Sequence, residues 1–138
     1  MGNPALYPMY RDHLPDDIVV VNINPLYRDN VPKTPQDIQN RINEISFNGS
    51  LLRELRAIEF VRRLIREGKI QAGALKNVNL HMIADEALMT QLSVATKIFP
   101  TPYILTELKE AGQRAADRFL DDHWDDLNAR PTVALEDM

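Results

Sequence analysis

The chain has 138 residues, of which 44% are hydrophobic and 26% are charged, and its formal net charge is −4. The length fits one domain, and the composition is that of a globular protein rather than a disordered tail. Cysteine is absent, which excludes disulfide bonds, thiolate metal ligands and a cysteine nucleophile. No apolar run is long enough for a membrane span, and the acidic balance argues against a nucleic-acid-binding protein.

The clearest predicted strand covers residues 18–23, after a proline-rich and irregular lead-in. Ile18-Val19-Val20-Val21 is a continuous β-branched run, and Ile23 extends it. Continuous hydrophobicity is typical of a parallel strand that is covered on both faces. We therefore expect a buried strand of an α/β fold.

A long helix is predicted over residues 35–66. Thr34 can be its N-cap, Pro35 suits the first helical position, and Gly68 is suited to end it. Gly49 interrupts the stripe and indicates a bend or a close backbone contact. Apolar residues recur every three or four positions and define one core-facing stripe: Ile38, Ile42, Ile45, Leu52, Leu55, Ile58, Val61 and Ile65.

The second half of the chain predicts one more strand and two helices. Val78–Ile83 has the pattern of a strand, and residues 85–92 that of a short helix. Thr101-Pro102 repeats the cap-then-proline start of a helix, whose stripe is Ile104, Leu108, Ala111, Ala115 and Phe119, with Trp124 and Leu127 beyond it. Residues 129–138 are expected to be a loose tail. Two strands make a marginal sheet, so the chain resembles part of a larger α/β sheet.

Two charged groups have a structural and a functional interpretation. The acidic end is expected to be solvated, and a cation or partner site is the alternative: Asp117, Asp121, Asp122, Asp125, Asp126, Glu136 and Asp137. The cations at the end of the long helix complement the helix dipole, and contact with anionic lipid headgroups is the alternative: Arg62, Arg63, Arg66 and Lys69.

No catalytic or metal-binding constellation is visible in the residues themselves. The serines Ser46, Ser50 and Ser93 lack the Gly-x-Ser-x-Gly frame of a nucleophile elbow. The histidines His13, His81 and His123 lack metal-ligand spacing. His81 is interpreted as a satisfied or half-buried strand histidine, because a general base needs a positioned partner. We expect no metal and no cofactor.

Three stretches carry a family resemblance. They are Met-Gly-Asn-Pro-Ala-Leu-Tyr-Pro at residues 1–8, Asp-Ile-Val-Val-Val-Asn-Ile-Asn-Pro at 17–25, and Pro-Gln-Asp-Ile-Gln-Asn-Arg-Ile-Asn-Glu-Ile-Ser-Phe-Asn at 35–48. Residues 80–83, 95–97 and 108–120 agree with them. Together they resemble the C-terminal part of bacterial patatin-like phospholipases over nearly the whole chain.

The resemblance implies an α/β sheet with a Ser–Asp dyad, in which the serine attacks a lipid ester and the aspartate acts as base. It also implies that this chain begins just after the catalytic aspartate, so that the serine, the oxyanion loop and the aspartate lie upstream. No catalytic residue then maps onto this chain. Gly2, Asn3 and Pro4 match a segment near the active-site aspartate and are the candidate binding residues.

We therefore expect residues 1–138 to be a single C-terminal segment of a patatin-like α/β sheet fold, with few strands, one long helix and a C-terminal helix. Alone it should be inactive. The expected partners are a second copy or the missing N-terminal part, with no nucleic acid and no transmembrane segment, and lipid ester only for the full-length protein. The expected location is cytoplasmic, with peripheral membrane contact as an option. The alternative function is a non-catalytic, self-associating interaction module.

Overall fold

The computed structural model describes residues 5–28, 31–71, 73–92 and 101–135. Within these ranges the chain is mixed α/β, which confirms the predicted class at that level. The strands β1 (Asp17–Asn22) and β2 (Asn79–Ala84) pair in a two-stranded parallel sheet. The helices are α1 (Pro35–Arg66), α2 (Glu86–Gln91) and α3 (Pro102–His123), and short 3-10 helices cover Tyr7–Tyr10 and Trp124–Asp126.

Strand β1 forms where its β-branched run predicts, but its burial is one-sided. Ile18 and Asn22 are buried, whereas Val19 and Val21 are exposed, Val21 by 69%. Ile23, just after the strand, is also exposed. The prediction that both faces are covered is therefore wrong for this chain, because side chains alternate along a strand and the described residues cover one face.

Helix α1 is continuous over 32 residues and begins and ends as its local chemistry predicts. The Asp37 amide donates to Thr34 Oγ1 at 3.1 Å, which is an N-cap bond. After the helix, Gly68 adopts a φ of +69°, a left-handed conformation that glycine tolerates without strain. A Cβ placed at Gly49 would meet, among the described atoms, Arg53 Nη2 at 3.9 Å, so the expected close backbone contact is not found.

Helices α2 and α3 are also capped by side chains. The Leu88 amide donates to Asp85 Oδ1 at 3.0 Å before α2, and the Ile104 amide donates to Thr101 Oγ1 at 3.2 Å before α3. Each bond satisfies one of the amides that the first turn of a helix leaves without a partner. In the described ranges, no helix combines the length and the apolar content needed to cross a bilayer.

In the described part of the tail, residues 129–135, backbone amides bond to β2, in contrast to the loose tail predicted for residues 129–138. The amides of Thr132 and Val133 donate to the Leu80 carbonyl at 3.1 and 3.3 Å, and Leu135 is buried. Asp126 is also buried and accepts a 2.6 Å bond from Arg130 Nε, so this member of the acidic end is not solvated. Long-range bonds to β2 account for the difference, since no local pattern encodes them.

The chain divides into two compact units. Unit 1 comprises Met1–Val20, Phe47–Met82 and Asp125–Met138, and its buried apolar residues are Leu6, Ile18, Leu51, Leu55, Ile58, Val78, Leu80 and Leu135. Unit 2 comprises Val21–Ser46 and Ile83–Trp124, and the buried apolar residues described there are Pro25, Ala111, Ala115 and Phe119. Unit 1 therefore has the more developed core of the two.

Candidate functional site

The residues that the resemblance places near an active site, Gly2, Asn3 and Pro4, fall outside the described residues. Ser46 and Ser50 lie on α1, and Ser93 also falls outside the described part. A serine within a helix lacks the sharp strand-to-helix turn that exposes a hydrolase nucleophile. The described serines therefore offer no nucleophile elbow.

The three histidines lie on three different elements. His13 is exposed before β1, His81 lies in β2, and His123 ends α3 with its ring centroid 5.4 Å from that of Phe119. His81 lies beside a carboxylate and a hydroxyl, and these groups form a polar cluster in unit 1. We call Asp17, His81 and Thr132 the relay cluster.

The sheet places Asp17 beside His81. Asp17 is the first residue of β1, and His81 lies in β2, so the parallel pairing brings them to adjacent strands. Asp17 Oδ1 is 3.4 Å from His81 Nε2, longer than an ordinary hydrogen bond. The side chain of His81 is 0% exposed and that of Asp17 is 11% exposed. A buried imidazole is thus held next to a nearly buried carboxylate.

The carboxylate of Asp17 is held in its charged form by its neighbours. Burial alone would raise its pKa, but hydrogen bonds from the Asn128 amide and the Asn79 side chain, together with the nearby His81 imidazole, outweigh that effect and lower the pKa of Asp17 below its usual range. Asn128 adopts a φ of +61°, which asparagine tolerates better than most residues. In this backbone conformation the Asn128 amide donates a hydrogen bond to Asp17 Oδ2.

Thr132 completes the relay cluster from the tail. Its Oγ1 is 3.2 Å from His81 Nδ1, and its amide donates to the Leu80 carbonyl. Thr132 itself is half-buried. The imidazole therefore joins β1 on one side to the tail on the other.

A hydroxyl, an imidazole and a carboxylate in sequence are also the components of a catalytic proton relay. A general base must come within hydrogen-bond distance of a substrate proton, and the imidazole of His81 has no exposed surface. The arrangement instead links three parts of unit 1. Thr132 Oγ1 lies within hydrogen-bond distance of His81 Nδ1, whereas the buried atoms His81 Nε2 and Asp17 Oδ1 face each other at 3.4 Å. The cluster therefore has a structural rather than a catalytic arrangement, and His81 is fully buried rather than half-buried.

The sequence identified His81 but not its partners. Asp17 directly precedes the predicted strand and no pattern gives it a role, and Thr132 and Asn128 lie where no periodic pattern exists. Thr132 follows Pro131 in a polar stretch, and nothing local indicates that it reaches β2. A contact across 51 residues, such as that between His81 and Thr132, depends on how the chain folds back.

A second polar cluster lies in unit 2. Arg28 Nε and Nη2 donate to the Glu44 carboxylate at 2.7 and 2.6 Å, and Arg28 Nη1 donates to the Thr90 carbonyl at 3.0 Å. Burial alone would raise the pKa of Glu44, but the hydrogen bonds and charges of Arg28 and Arg41 lower it below its usual range. This fork geometry is the strong form of a salt bridge.

The cations at the end of α1 are engaged within the chain. Arg62 Nη1 donates to the Val78 carbonyl at 3.1 Å. Two ion pairs lie nearby: Arg66 Nη2 is 3.5 Å from Glu59 Oε1, and Lys69 Nζ is 2.6 Å from Glu67 Oε2. Arg63 lies 5.6 Å from the ring centroid of Phe60. These partners support the structural interpretation of the cluster more than contact with lipid headgroups.

Comparisons with protein-family models, with curated proteins and with solved structures find no match for this chain. Within the described residues, no group of three or more histidine or acidic side chains is arranged to hold a metal ion.

Proposed function

We propose that this chain is the C-terminal structural portion of a patatin-like serine acyl hydrolase and does not itself carry the nucleophile. The sequence resemblance, which is most specific at residues 35–48, supplies the family. In this role β1, β2 and α1 extend a larger parallel sheet and cover it. The serine that attacks the lipid ester and the aspartate that acts as base belong to a preceding segment.

The observation that supports this proposal is the outward side of β1. Parallel sheets are normally covered on both faces, yet Val19 and Val21 are exposed, as is Ile23 beyond the strand. Burying a valine or isoleucine side chain contributes about 1.5–3 kcal/mol, so covering these residues is comparable to a large part of a domain's stability. A larger sheet with a covering layer provides that cover.

The test compares the chain alone with a longer protein that includes the preceding coding segment. We expect a fluorophosphonate probe to label the longer protein at a serine outside residues 1–138, together with hydrolysis of p-nitrophenyl esters. The chain alone should show neither. Ser50→Ala in the longer protein is the matched control and should leave the labelling unchanged. Stoichiometric labelling of Ser46, Ser50 or Ser93 would contradict the proposal.

A second candidate function is a non-catalytic, self-associating module, and one observation favours it. In unit 2, Ile38, Ile42 and Ile45 are exposed on the first half of α1 at spacings of four and three. Such spacing forms one helical stripe that can pack against another helix. A two-fold dimer is the simplest assembly that covers it.

Sedimentation equilibrium tests the second candidate. The wild-type chain should be a dimer at micromolar concentration, and Ile42→Asp should be a monomer because it places a charge in the stripe. Asn43→Asp adds the same charge at the next position and should remain a dimer. A wild-type monomer without dye-accessible apolar surface would rule out self-association. Ester hydrolysis by the longer protein would favour the first candidate.

A further inference from the structure

A buried ammonium group in unit 1 lies outside both polar clusters described above. The side chain of Lys76 is only 5% exposed, although lysine is among the residues least often buried. It lies in the loop that leads into β2. A buried charge is costly unless hydrogen-bonding partners replace the water that it loses.

Backbone carbonyls provide that replacement. Lys76 Nζ donates to the carbonyls of Met9, Arg11 and Leu14 at 3.1, 3.0 and 2.8 Å. An ammonium group has three donors, so each of them has an acceptor. The nearest carboxylate, on the exposed Asp16, is 3.9 Å away and contributes less.

The three acceptors belong to one short segment. Residues 6–14 contain two turns, which flank Tyr10: the Met9 amide donates to the Leu6 carbonyl at 2.8 Å and the Leu14 amide to the Arg11 carbonyl at 3.0 Å. Tyr10 Oη donates to Glu54 Oε2 at 2.8 Å and attaches the same segment to α1. Converging carbonyl dipoles repel one another unless a cation lies between them.

We propose that Lys76 is a positioning residue whose ammonium group, through its charge and its three N–H donors together, organises the segment Met9–Leu14. The inference also rests on the function proposed above, because this segment follows the residues that resemble the neighbourhood of a catalytic aspartate. Lys76 would then position the chain that leads to the active site, without touching substrate.

The first arm of the test uses the 138-residue chain and needs no activity. Lys76→Met keeps the length of the side chain and removes its charge. We expect the amides of Met9 and Leu14 to exchange hydrogen about tenfold faster or more in this variant, as local opening becomes easier. Lys69→Met removes an exposed cation that pairs with Glu67 and should leave this exchange unchanged. Unchanged exchange in Lys76→Met would overturn the inference.

A second variant guards against loss of the fold. Lys76→Arg keeps the charge, but its planar guanidinium does not converge on three carbonyls as an ammonium does. It should fold with exchange between that of the wild type and that of Lys76→Met. If the Met9 and Leu14 amides of Lys76→Arg exchange at the wild-type rate while those of Lys76→Met exchange faster, a cation with N–H donors at this position is enough to organise the segment. Wild-type exchange rates in both variants would overturn the role of Lys76.

Chemical rescue separates charge from hydrogen bonding. In Lys76→Ala, added methylammonium should slow the exchange of the Met9 and Leu14 amides, because it supplies the lost donors. Tetramethylammonium carries the same charge without an N–H group and should have no effect. Equal effects of the two ions would contradict the proposed geometry.

The second arm uses the longer protein with its preceding segment. Lys76→Met should lower kcat for ester hydrolysis about tenfold or more with KM little changed, the pattern of lost positioning. Unaltered kcat together with faster exchange would overturn the link to activity. An inactive wild-type protein would instead reject the proposed function, and the exchange experiment would still decide whether Lys76 organises the segment.

Discussion

The second half of α1 buries Leu51, Leu55 and Ile58, whereas the first half leaves Ile38, Ile42 and Ile45 exposed. Both halves have helical apolar spacing and belong to one continuous helix. They differ in what surrounds them, because the second half belongs to unit 1, whose core also includes buried residues of both strands.

The first half belongs to unit 2. The buried apolar residues described there are Pro25 and three residues of α3, two of which are alanines. Apolar periodicity therefore identifies the apolar side of a helix but not whether the rest of the chain covers that side. A partner or a larger sheet would therefore bury the most additional apolar surface on the first half of α1.

Truncating one residue in each half of α1 should reveal the largest difference in the free energy of unfolding. Leu55→Ala removes a side chain that is 1% exposed and should lower the free energy of unfolding by about 2–5 kcal/mol. Ile42→Ala truncates a residue that is 51% exposed and should cost below about 1 kcal/mol in the monomer. Urea denaturation of both variants measures the difference. Equal losses would mean that the first half is covered after all.

The polar cluster of unit 2 contributes to stability in a part of the molecule where few apolar side chains are buried. Arg28→Met leaves the buried Glu44 with a weaker contact to Arg41 at 3.4 Å. We expect a loss of about 1–3 kcal/mol, below that of a fully buried pair, because Arg28 is partly exposed. The exposed Arg56→Met is the control. Urea denaturation should also show that Glu44→Leu in the Arg28→Met background recovers part of the loss.

The relay cluster predicts an acid-side pH dependence in unit 1. Because the pKa of Asp17 is lowered on folding, its carboxylate contributes stability above its unfolded pKa of about 4, and that stability disappears as the pH falls through the folded value. Asp17→Asn should cost about 1–2 kcal/mol at pH 7 and flatten the pH dependence of stability below pH 4. Thermal unfolding between pH 7 and 2 measures this. The exposed Asp121→Asn should retain the wild-type slope.

The smallest expected effect lies at the junction of the two halves. Gly49→Ala should stabilise the chain by about 0.5–1 kcal/mol, because glycine in a helix interior loses more conformational freedom and the added Cβ has room. Ser50→Ala is the neighbouring control. If Gly49→Ala lowers the free energy of unfolding in urea, another element of the chain approaches the helix at this position. If the variant keeps its stability but sedimentation equilibrium shows that the dimer is lost, the approaching element belongs to a second copy.

The sequence predicted the helices and strands well because their determinants are local. Thr34 and Thr101 cap helices through bonds three residues away, and Gly68 adopts the left-handed conformation that ends α1. It predicted the tail and the polar partners poorly. Thr132 and Asn128 reach across 51 and 111 residues to His81 and Asp17, and no short pattern encodes such distances.

Local sequence accounts for the mixed α/β class and for the starts of α1 and α3, since propensity and capping are properties of neighbouring residues. Tertiary contacts establish that β1 is covered on one side, that His81 lies between Asp17 and Thr132, and that Lys76 donates to three carbonyls. Burial and charge compensation depend on groups that are distant along the chain, so they are settled only when the chain folds back on itself.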